Sequence, residues 1–358
     1  MSPPSSYKAK KPRSGQDTLQ VIQTNLQKSK LGQQEVSRRI SIFNKNNIPF
    51  LYFVQEPMII NSRPTWQPSS CKRFGFASKP RTLIYTDMNS KAWYIESLSS
   101  SDITVIQTVI NGKSTLLLSV YLDINWIQVI PKELHKVMKY AEDKGLGILI
   151  AADTNCHSSL FGPSTNKRGE QLELFIAKYK LHIENNSHIP TYESRGAATC
   201  IDITLTARMG VSVQKWEVNR GFNGSDHNSI EFELMTDKIT LEPQWIWSQA
   251  NWEMFSIEIK NNLITQSKYA ITQRECDNMV NALYNTISKA LDKAVPKSKK
   301  RIVDKNNPWW NTYLAKQRRK LDTLYKHQKS NKGNCAKEKY KAFRKEYKKD
   351  IELSLIHI

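Results

Sequence analysis

Acidic residues are scarce in this chain of 358 residues: 33 Asp and Glu stand against 53 Lys and Arg, a formal net charge of +20. Cysteine is scarcer still. The five, Cys71, Cys156, Cys200, Cys276 and Cys335, are odd in number, and no two have the spacing of a zinc knuckle or a CxxC redox pair. A thiolate metal site and a disulfide framework are therefore excluded, and reduced thiols in an intracellular protein are the simplest reading. No apolar run approaches membrane-spanning length. The opening MSPPSSYKAKKPRSGQDT is polar, unlike a secretory signal. There is no internal repeat. These absences lead us to expect a soluble protein of cytosol or nucleus, and its 39% hydrophobic content suffices for one large core or two smaller ones.

The positive charge is concentrated at the two ends. Residues 1–18 hold Lys8, Lys10, Lys11 and Arg13 against Asp17, and residues 293–350 hold 20 Lys and Arg against five Asp and Glu. Residues 19–292 are left with only +3. Basic ends favour a polyanion, most commonly nucleic acid, although a solvated tail would have the same composition.

Residues 1–18, rich in Pro, Ser and Lys, are expected to be disordered. From Leu19 strand and helix signals alternate. LQVIQTN, IPFLYFVQEP, RTLIYT, AWYIESL, ITVIQTVI, TLLLSVYL, GILIAADTN, CIDITLTA and SIEFELM read as strands, with Asn111-Gly112 as a hairpin turn. Residues 33–46, 131–143 and 168–180 read as helices. Hairpins mixed with strand–helix–strand units predict two mixed sheets packed face to face with helices outside, a four-layered α/β sandwich. Beyond residue 236 the pattern changes. Residues 237–300 read as a helical linker that begins with Trp245, Trp247, Trp252 and Phe255. Residues 301–352 read as basic amphipathic helices, one with a stripe of Trp310, Tyr313, Leu314, Leu321, Leu324 and Tyr325, the next with Tyr340, Phe343 and Tyr347. Leu353–Ile358 fits nothing before it, and its reverse translation resembles a sequencing adapter, so we expect the native frame to diverge near residue 352.

Short polar words end the strands: Gln23-Thr24-Asn25, Val54-Gln55-Glu56-Pro57, Ser119-Val120-Tyr121, Asp153-Thr154-Asn155, Cys200-Ile201-Asp202 and Ser225-Asp226-His227. Four carboxylates, the amides of Asn25 and Asn155, a phenol and a histidine suit phosphodiester hydrolysis around a hard divalent cation. Glu56 follows a strand too apolar to need it, which suits an Mg²⁺ ligand. Asp153 and Asn155, two apart, share a face, and could hold a water and a phosphate oxygen; an Asx-rich turn is by itself the commoner reason for such a pair. Asp202 lies among apolar residues and needs a partner, for which His227 is the natural choice.

In order and spacing, IQTNLQKSK, VQEP, SVYLD, ADTNCHSSLFG, TYESRGAATCIDITLT and SDHNSIEFE resemble the endonuclease/exonuclease/phosphatase superfamily over residues 19–236. Within it they are similar to the apurinic-endonuclease-like domain of non-LTR (LINE-type) retrotransposons, and NNPWWNTYLAKQRRKLDTLYK resembles the segment leading into those elements' reverse transcriptase. The resemblance implies that Glu56 binds Mg²⁺ (or Mn²⁺) with Asn25 orienting it and Asp226 near metal and leaving group. It implies that Asp153 activates water, that Asn155 and Tyr121 contact the scissile phosphate, and that Thr191 binds a neighbouring phosphate. Asp202 would orient His227, which would stabilise developing charge. Two positions depart from the pattern: Ala152 stands where many members have Gly, and Pro57-Met58 stands where repair-type relatives carry Lys. The implied activity is Mg²⁺-dependent nicking of double-stranded DNA in the nucleus, leaving a 3′-hydroxyl primer for target-primed reverse transcription, with element RNA a possible partner of the basic helices and no membrane partner. The alternatives are an abasic-site nuclease, a DNase or a phosphatase of the same fold, or a decayed nucleic-acid-binding copy.

Overall fold

The computed structural model describes residues 16–61, 63–64, 71–76, 78–194, 196–237, 245–263, 272–297, 311–330 and 334–356. The chain divides into two compact units, one of residues up to 239 together with 304 onward, the other of residues 240–303.

In the first unit the chain runs through β1 (Gln16–Asn25), helix α1 (Lys30–Lys45), β2 (Phe50–Gln55), the small hairpin β3 (Ile59–Ile60) and β4 (Arg63–Pro64), β5 (Cys71–Phe74) and β6 (Thr82–Asp87). It continues through β7 (Ala92–Tyr94), β8 (Ile103–Ile110), β9 (Lys113–Tyr121), α2 (Lys132–Asp143), β10 (Gly147–Asp153), α3 (Lys167–Lys178) and β11 (His182–Ile183). After a second hairpin, β12 (Tyr192–Ser194) and β13 (Ala197–Thr199), come β14 (Asp202–Ala207), β15 (Val213–Asn219) and β16 (Ser229–Asp237). Two six-stranded mixed sheets result, in the orders β15-β16-β1-β2-β6-β5 and β11-β14-β10-β9-β8-β7.

The two sheets share a plan. Each has one parallel pair at its centre, β1 with β2 and β9 with β10, joined across α1 and α2 respectively, and antiparallel neighbours on either side. Strand periodicity then decides the layers. Phe50, Tyr52 and Val54 pack under α1 with Val36 and Ile40, while Leu51 and Phe53 face the other sheet. Ile148 and Ile150 pack under α2 and α3 with Met138 and Phe175, while Leu149 and Ala151 join Leu51 and Phe53 between the sheets. The expected four-layered α/β sandwich is what forms.

A polar seam crosses the inter-sheet core near one end. Gln23 donates to the Ala152 carbonyl (3.0 Å), and Gln55 donates to Ser119 Oγ (3.1 Å) and the Ala151 carbonyl (3.0 Å). Thr204 Oγ1 donates to Gln23 Oε1 and receives the indole N–H of Trp216. The hydrogen bonds these buried amides donate across the sheets fix the register of one sheet on the other.

Several expectations shift in detail. The strand signal of AWYIESL stops at Tyr94, and Glu96–Leu98 is a short 3₁₀ turn. The strand β15, with Trp216 and Val218 inward, was not anticipated. Asn111-Gly112 makes the hairpin turn, both residues having positive φ.

Helices α6 (Thr312–Ser330) and α7 (Asn334–Ile356) form an antiparallel pair in the same unit. Leu314, Leu321, Tyr340, Phe343, Tyr347 and Ile351 pack together with Leu31 of α1 and Phe222 of the β15–β16 loop. Tyr313, expected in the apolar stripe, is half exposed and donates instead to Asp350 (3.1 Å), because it lies one helical step from the buried Leu314 edge. Trp310 lies outside the described residues, as do residues 1–15 of the expected disordered end; residues 16–18 belong to β1. Leu353–Ile356 continue α7, and residues 357–358 are outside the description.

The second unit holds α4 (Trp252–Leu263) and α5 (Gln273–Ala294). A capping box of Thr272 and Glu275 starts α5. Trp247 stacks on Trp252 (6.0 Å), Trp245 meets Trp247 edge-on, and Glu258 pairs with Lys293. Among the described residues no helix is long and apolar enough to cross a membrane.

Candidate active site

Every polar word lies at the same end of the two sheets. Asn25 and Gln55 are register partners at the ends of β1 and β2, and Tyr121, Asp153 and Asp202 form one row across β9, β10 and β14. Asn25 follows the inward parity of Val21, Tyr121 that of Leu117, and Asp153 that of Leu149 and Ala151. Asp202 is out of step with Ile203 and Leu205, which face the helices, so it too faces the opposite sheet. Asp226 and His227 precede β16, which runs antiparallel to β1 and so begins where β1 ends.

The contacts converge on Asp153, which is 1% exposed. Asn25 Nδ2 donates to Asp153 Oδ2 (2.7 Å) and to Glu56 Oε2 (3.3 Å), tying the two carboxylates to one amide. The Asn155 N–H returns to Asp153 Oδ1 (3.1 Å), and its side chain donates to the Leu122 carbonyl (3.1 Å). His227 Nδ1 donates to Asp202 Oδ2 (2.9 Å), which leaves Nε2 free for the site. One donor atom each from Asp153, Asp202 and His227 lies within 4.8 Å of the others. Asp226 Oδ2 accepts from Gln27 Nε2 (2.9 Å).

The electrostatics follow from burial and from like charge. Burial, then the Asp202 charge, raises the Asp153 pKa above the usual carboxylate range, against the pull of His227 and Asn25. Burial disfavours the His227 cation, but Asp202, Asp153 and Asp226 outweigh it and push the imidazole up to about 9. Burial, with the Glu56 and Asp153 charges, raises the Tyr121 pKa too, so the phenol keeps its proton and can donate. Its ring lies under the Arg81 guanidinium (5.0 Å), which Asp102 and Asp123 hold by ion pairs.

Strain gathers here as well. Gln27, Lys28, Glu56 and Asn155 all take left-handed φ between 44° and 54°, a region that costs non-glycine residues about 1 kcal/mol or more. The chain turns sharply after both central strand pairs and so leaves each side chain at the strand end.

The structure places the remaining expected residues with some surprises. Thr191, expected at a phosphate, is buried, and its Oγ1 accepts the N–H groups of Ile201 and Asp202 (3.0 Å each). It braces the strand that carries Asp202. Of the residues expected around a cation, Asn25 donates to Glu56, while Asp226 accepts from Gln27; Asp153, Asp202 and His227 bring one donor atom each within 4.8 Å of one another. Four residues went unread in the sequence: Gln27 on Asp226, Tyr192 with its ring edge-on to His227 (5.0 Å), Arg81 over Tyr121, and Arg168. Arg168 gathers the carbonyls of Asp123, Ile124, Trp126 and Asn155. Of these, only the position of Arg168, just inside the helix after the Asp153 loop, offered a signal.

A divalent cation fits this donor set. The donors are hard oxygens with one imidazole, and the buried Asp202 Oδ1 and Asp226 Oδ1 have no hydrogen-bond partner. Orphaned carboxylate oxygens beside two further acids are what a cation would relieve.

Residues 115–231 match the family described as endonuclease-reverse transcriptase. The match covers about a third of the chain, and the two packed six-stranded sheets have the fold of the endonuclease/exonuclease/phosphatase superfamily. The enzyme class of the chain is that of the phosphodiester hydrolases. Among solved structures it is similar to the endonuclease domain of TRAS1, a telomere-specific non-LTR retrotransposon, at 20% identity and TM-score 0.51, over 62% of this chain and 99% of that one. It is also similar to the AP endonuclease LMAP from Leishmania major, at 10% identity and TM-score 0.48, over 62% and 89%. No curated protein matches the chain.

Proposed function

We propose that this protein is a divalent-metal-dependent DNA endonuclease that nicks one strand and leaves a 3′-hydroxyl. The observation that carries the reading is the Tyr121–Asp153–Asp202 row, closed by His227 and by the Asn25-bridged Glu56, with orphaned buried acid oxygens. Glu56, Asn25 and Asp226 would hold Mg²⁺ or Mn²⁺. The cation would neutralise phosphate charge and help the leaving oxygen depart. Asp153, oriented by Asn25 and the Asn155 amide, accepts the proton of the attacking water. His227, with Nδ1 committed to Asp202, presents Nε2–H to a phosphate oxygen as charge develops there. Tyr121 and Asn155 contact the same phosphate.

The TRAS1 likeness and the endonuclease-reverse transcriptase match support the assignment of this nick to target-primed reverse transcription in a non-LTR retrotransposon, acting in the nucleus. The basic face of α6 and α7 supports contact with nucleic acid, either the DNA target or element RNA. The test is to incubate the chain with supercoiled plasmid and Mg²⁺, then offer the product to a DNA polymerase without end repair. Open circles that the polymerase extends directly are expected. Linear product alone, or nicks that need a phosphatase first, would contradict the 3′-hydroxyl assignment.

A further inference from the structure

The loop that carries Asp226 and His227 is anchored from outside the two sheets. It runs from Asn219, the end of β15, to Ser229, the start of β16. Within the loop, Asn223 bonds the His227 carbonyl and the Ser225 N–H, and Ser225 Oγ caps the His227 N–H (3.2 Å). These bonds make residues 223–227 a small rigid turn, but they do not attach it to anything.

Its far side, Asp226 to Asn228, is bonded to β12 and the residue before it, the Glu193 N–H donating to the Asp226 carbonyl (2.9 Å) and the Asn228 N–H to the Thr191 carbonyl (2.6 Å); its near side is attached by α6 and α1. The Phe222 N–H donates to Asp322 Oδ1 (3.0 Å), and the Phe222 carbonyl accepts from the Arg318 guanidinium. That guanidinium also lies over the Phe222 ring (4.9 Å), which is buried with Leu31, Leu314 and Leu321. Asp322 is one hundred residues away in sequence, and α6 thus grips both polar atoms of one peptide segment and its side chain. Two residues on, Ser29 Oγ donates to the Gly224 carbonyl (2.6 Å). Gly224 has φ +83°, and a Cβ there would meet Gly32 N at 2.5 Å, so the loop backbone rests directly on the first turn of α1. Arg318 is kept in place by Glu35 of α1 (3.4 Å).

We propose that α6 is a positioning element of the catalytic loop: Asp322 and Arg318 hold Phe222 and thereby place Asp226 and His227 against Asp202 and Asp153. The catalytic unit then does not end at β16 but includes residues 312–356. The proposal rests on the hydrolytic reading of the site given above. Its physical basis is distance: Phe222 is four residues from Asp226, and a displacement of about 1 Å at a catalytic group lowers turnover by up to about a hundredfold.

The test uses the full chain with Asp322→Ala and Asp322→Asn, since the amide oxygen of Asn can still accept the Phe222 N–H. Plasmid nicking gives kcat and KM, and amide exchange follows residues 222–228. For Asp322→Ala we expect kcat to fall about tenfold or more with KM within about twofold, and the Phe222, Ser225 and His227 amides to lose protection while β10 keeps its own. Asp322→Asn should restore both. Unchanged kcat and unchanged protection in Asp322→Ala would overturn the proposal, as would an Asp322→Asn variant as impaired as Asp322→Ala. A parent chain that fails to nick DNA would instead defeat the DNA reading, and the exchange measurement would still decide whether Asp322 holds the loop.

Discussion

Glu35 and Asp153 are both buried carboxylates of the same unit, and their surroundings give them opposite effects. Glu35 on α1 receives both arms of Arg38 (2.8 and 2.6 Å), the Arg39 guanidinium (3.3 Å) and Arg318 (3.4 Å), and Arg39 pairs in turn with Glu231. Burial alone would raise its pKa, but Arg38, Arg318 and Arg39 outweigh that and hold it well below the usual range. Asp153 has no guanidinium. Its partners are an amide and a backbone N–H, its neighbour Asp202 is another acid, and its pKa rises. Saturated charge joins α1 to α6 and serves the fold. Unsaturated charge at the sheet ends is costly to the fold and is what catalysis uses.

The largest effect should come from the unsaturated cluster and be kinetic. His227→Ala or Asp202→Asn should lower the nicking rate by about 10²–10⁴-fold, measured by plasmid relaxation. Next comes Glu35→Gln, which strands Arg38, Arg39 and Arg318 in a buried setting. Urea unfolding should show a loss of about 3–5 kcal/mol, with the α6–α7 hairpin the first part to lose amide protection. A smaller effect of opposite sign should follow Asp153→Asn. The fold disfavours the Asp153 anion, so a neutral isostere should raise stability at pH 8 in chelator by on the order of 1 kcal/mol.

The pH dependence sharpens the same contrast. Glu35, with its folded pKa depressed, stabilises above its unfolded value near about 4.3 and loses that contribution as pH falls. His227, with its folded pKa raised to about 9, contributes fully below about 6.5 and loses that contribution as pH rises through about 9. Urea midpoints across pH 3 to 10, in chelator, should therefore fall at both ends. The acid limb should vanish in Glu35→Gln and the alkaline limb in His227→Ala.

Much of this was legible in the sequence because it depends on parity and on where apolar runs stop. VQE, ADTN and IDIT announce their carboxylates at strand ends, and a period of two puts Asn25, Tyr121, Asp153 and Asp202 on one face. The mixed hairpin and strand–helix–strand order gave the layers. What was hidden depends on pairing between distant segments. Gln23 and Gln55 look like ordinary strand polars until the second sheet meets them. Gln27, Tyr192 and Arg81 reach the site across loops whose course has no periodic signal. The aromatic residues of α6 and α7 read as amphipathic helices, but nothing local says that their apolar face receives Phe222. Val213–Asn219 went unread because its outward Gln214, Lys215 and Glu217 mask the inward Trp216 and Val218.

The central claim is that the unsaturated acids at the sheet ends form a metal-dependent hydrolytic site. It is tested most directly by nicking of supercoiled plasmid by the full chain and by its Asp153→Ala variant, each titrated with Mg²⁺ and Mn²⁺ from a chelated start. The account predicts nicking by the parent that rises from nothing with added metal, and a rate at least about a hundredfold lower in the variant at every concentration. Equal nicking by the two, or nicking by the parent that persists in excess chelator, would contradict it.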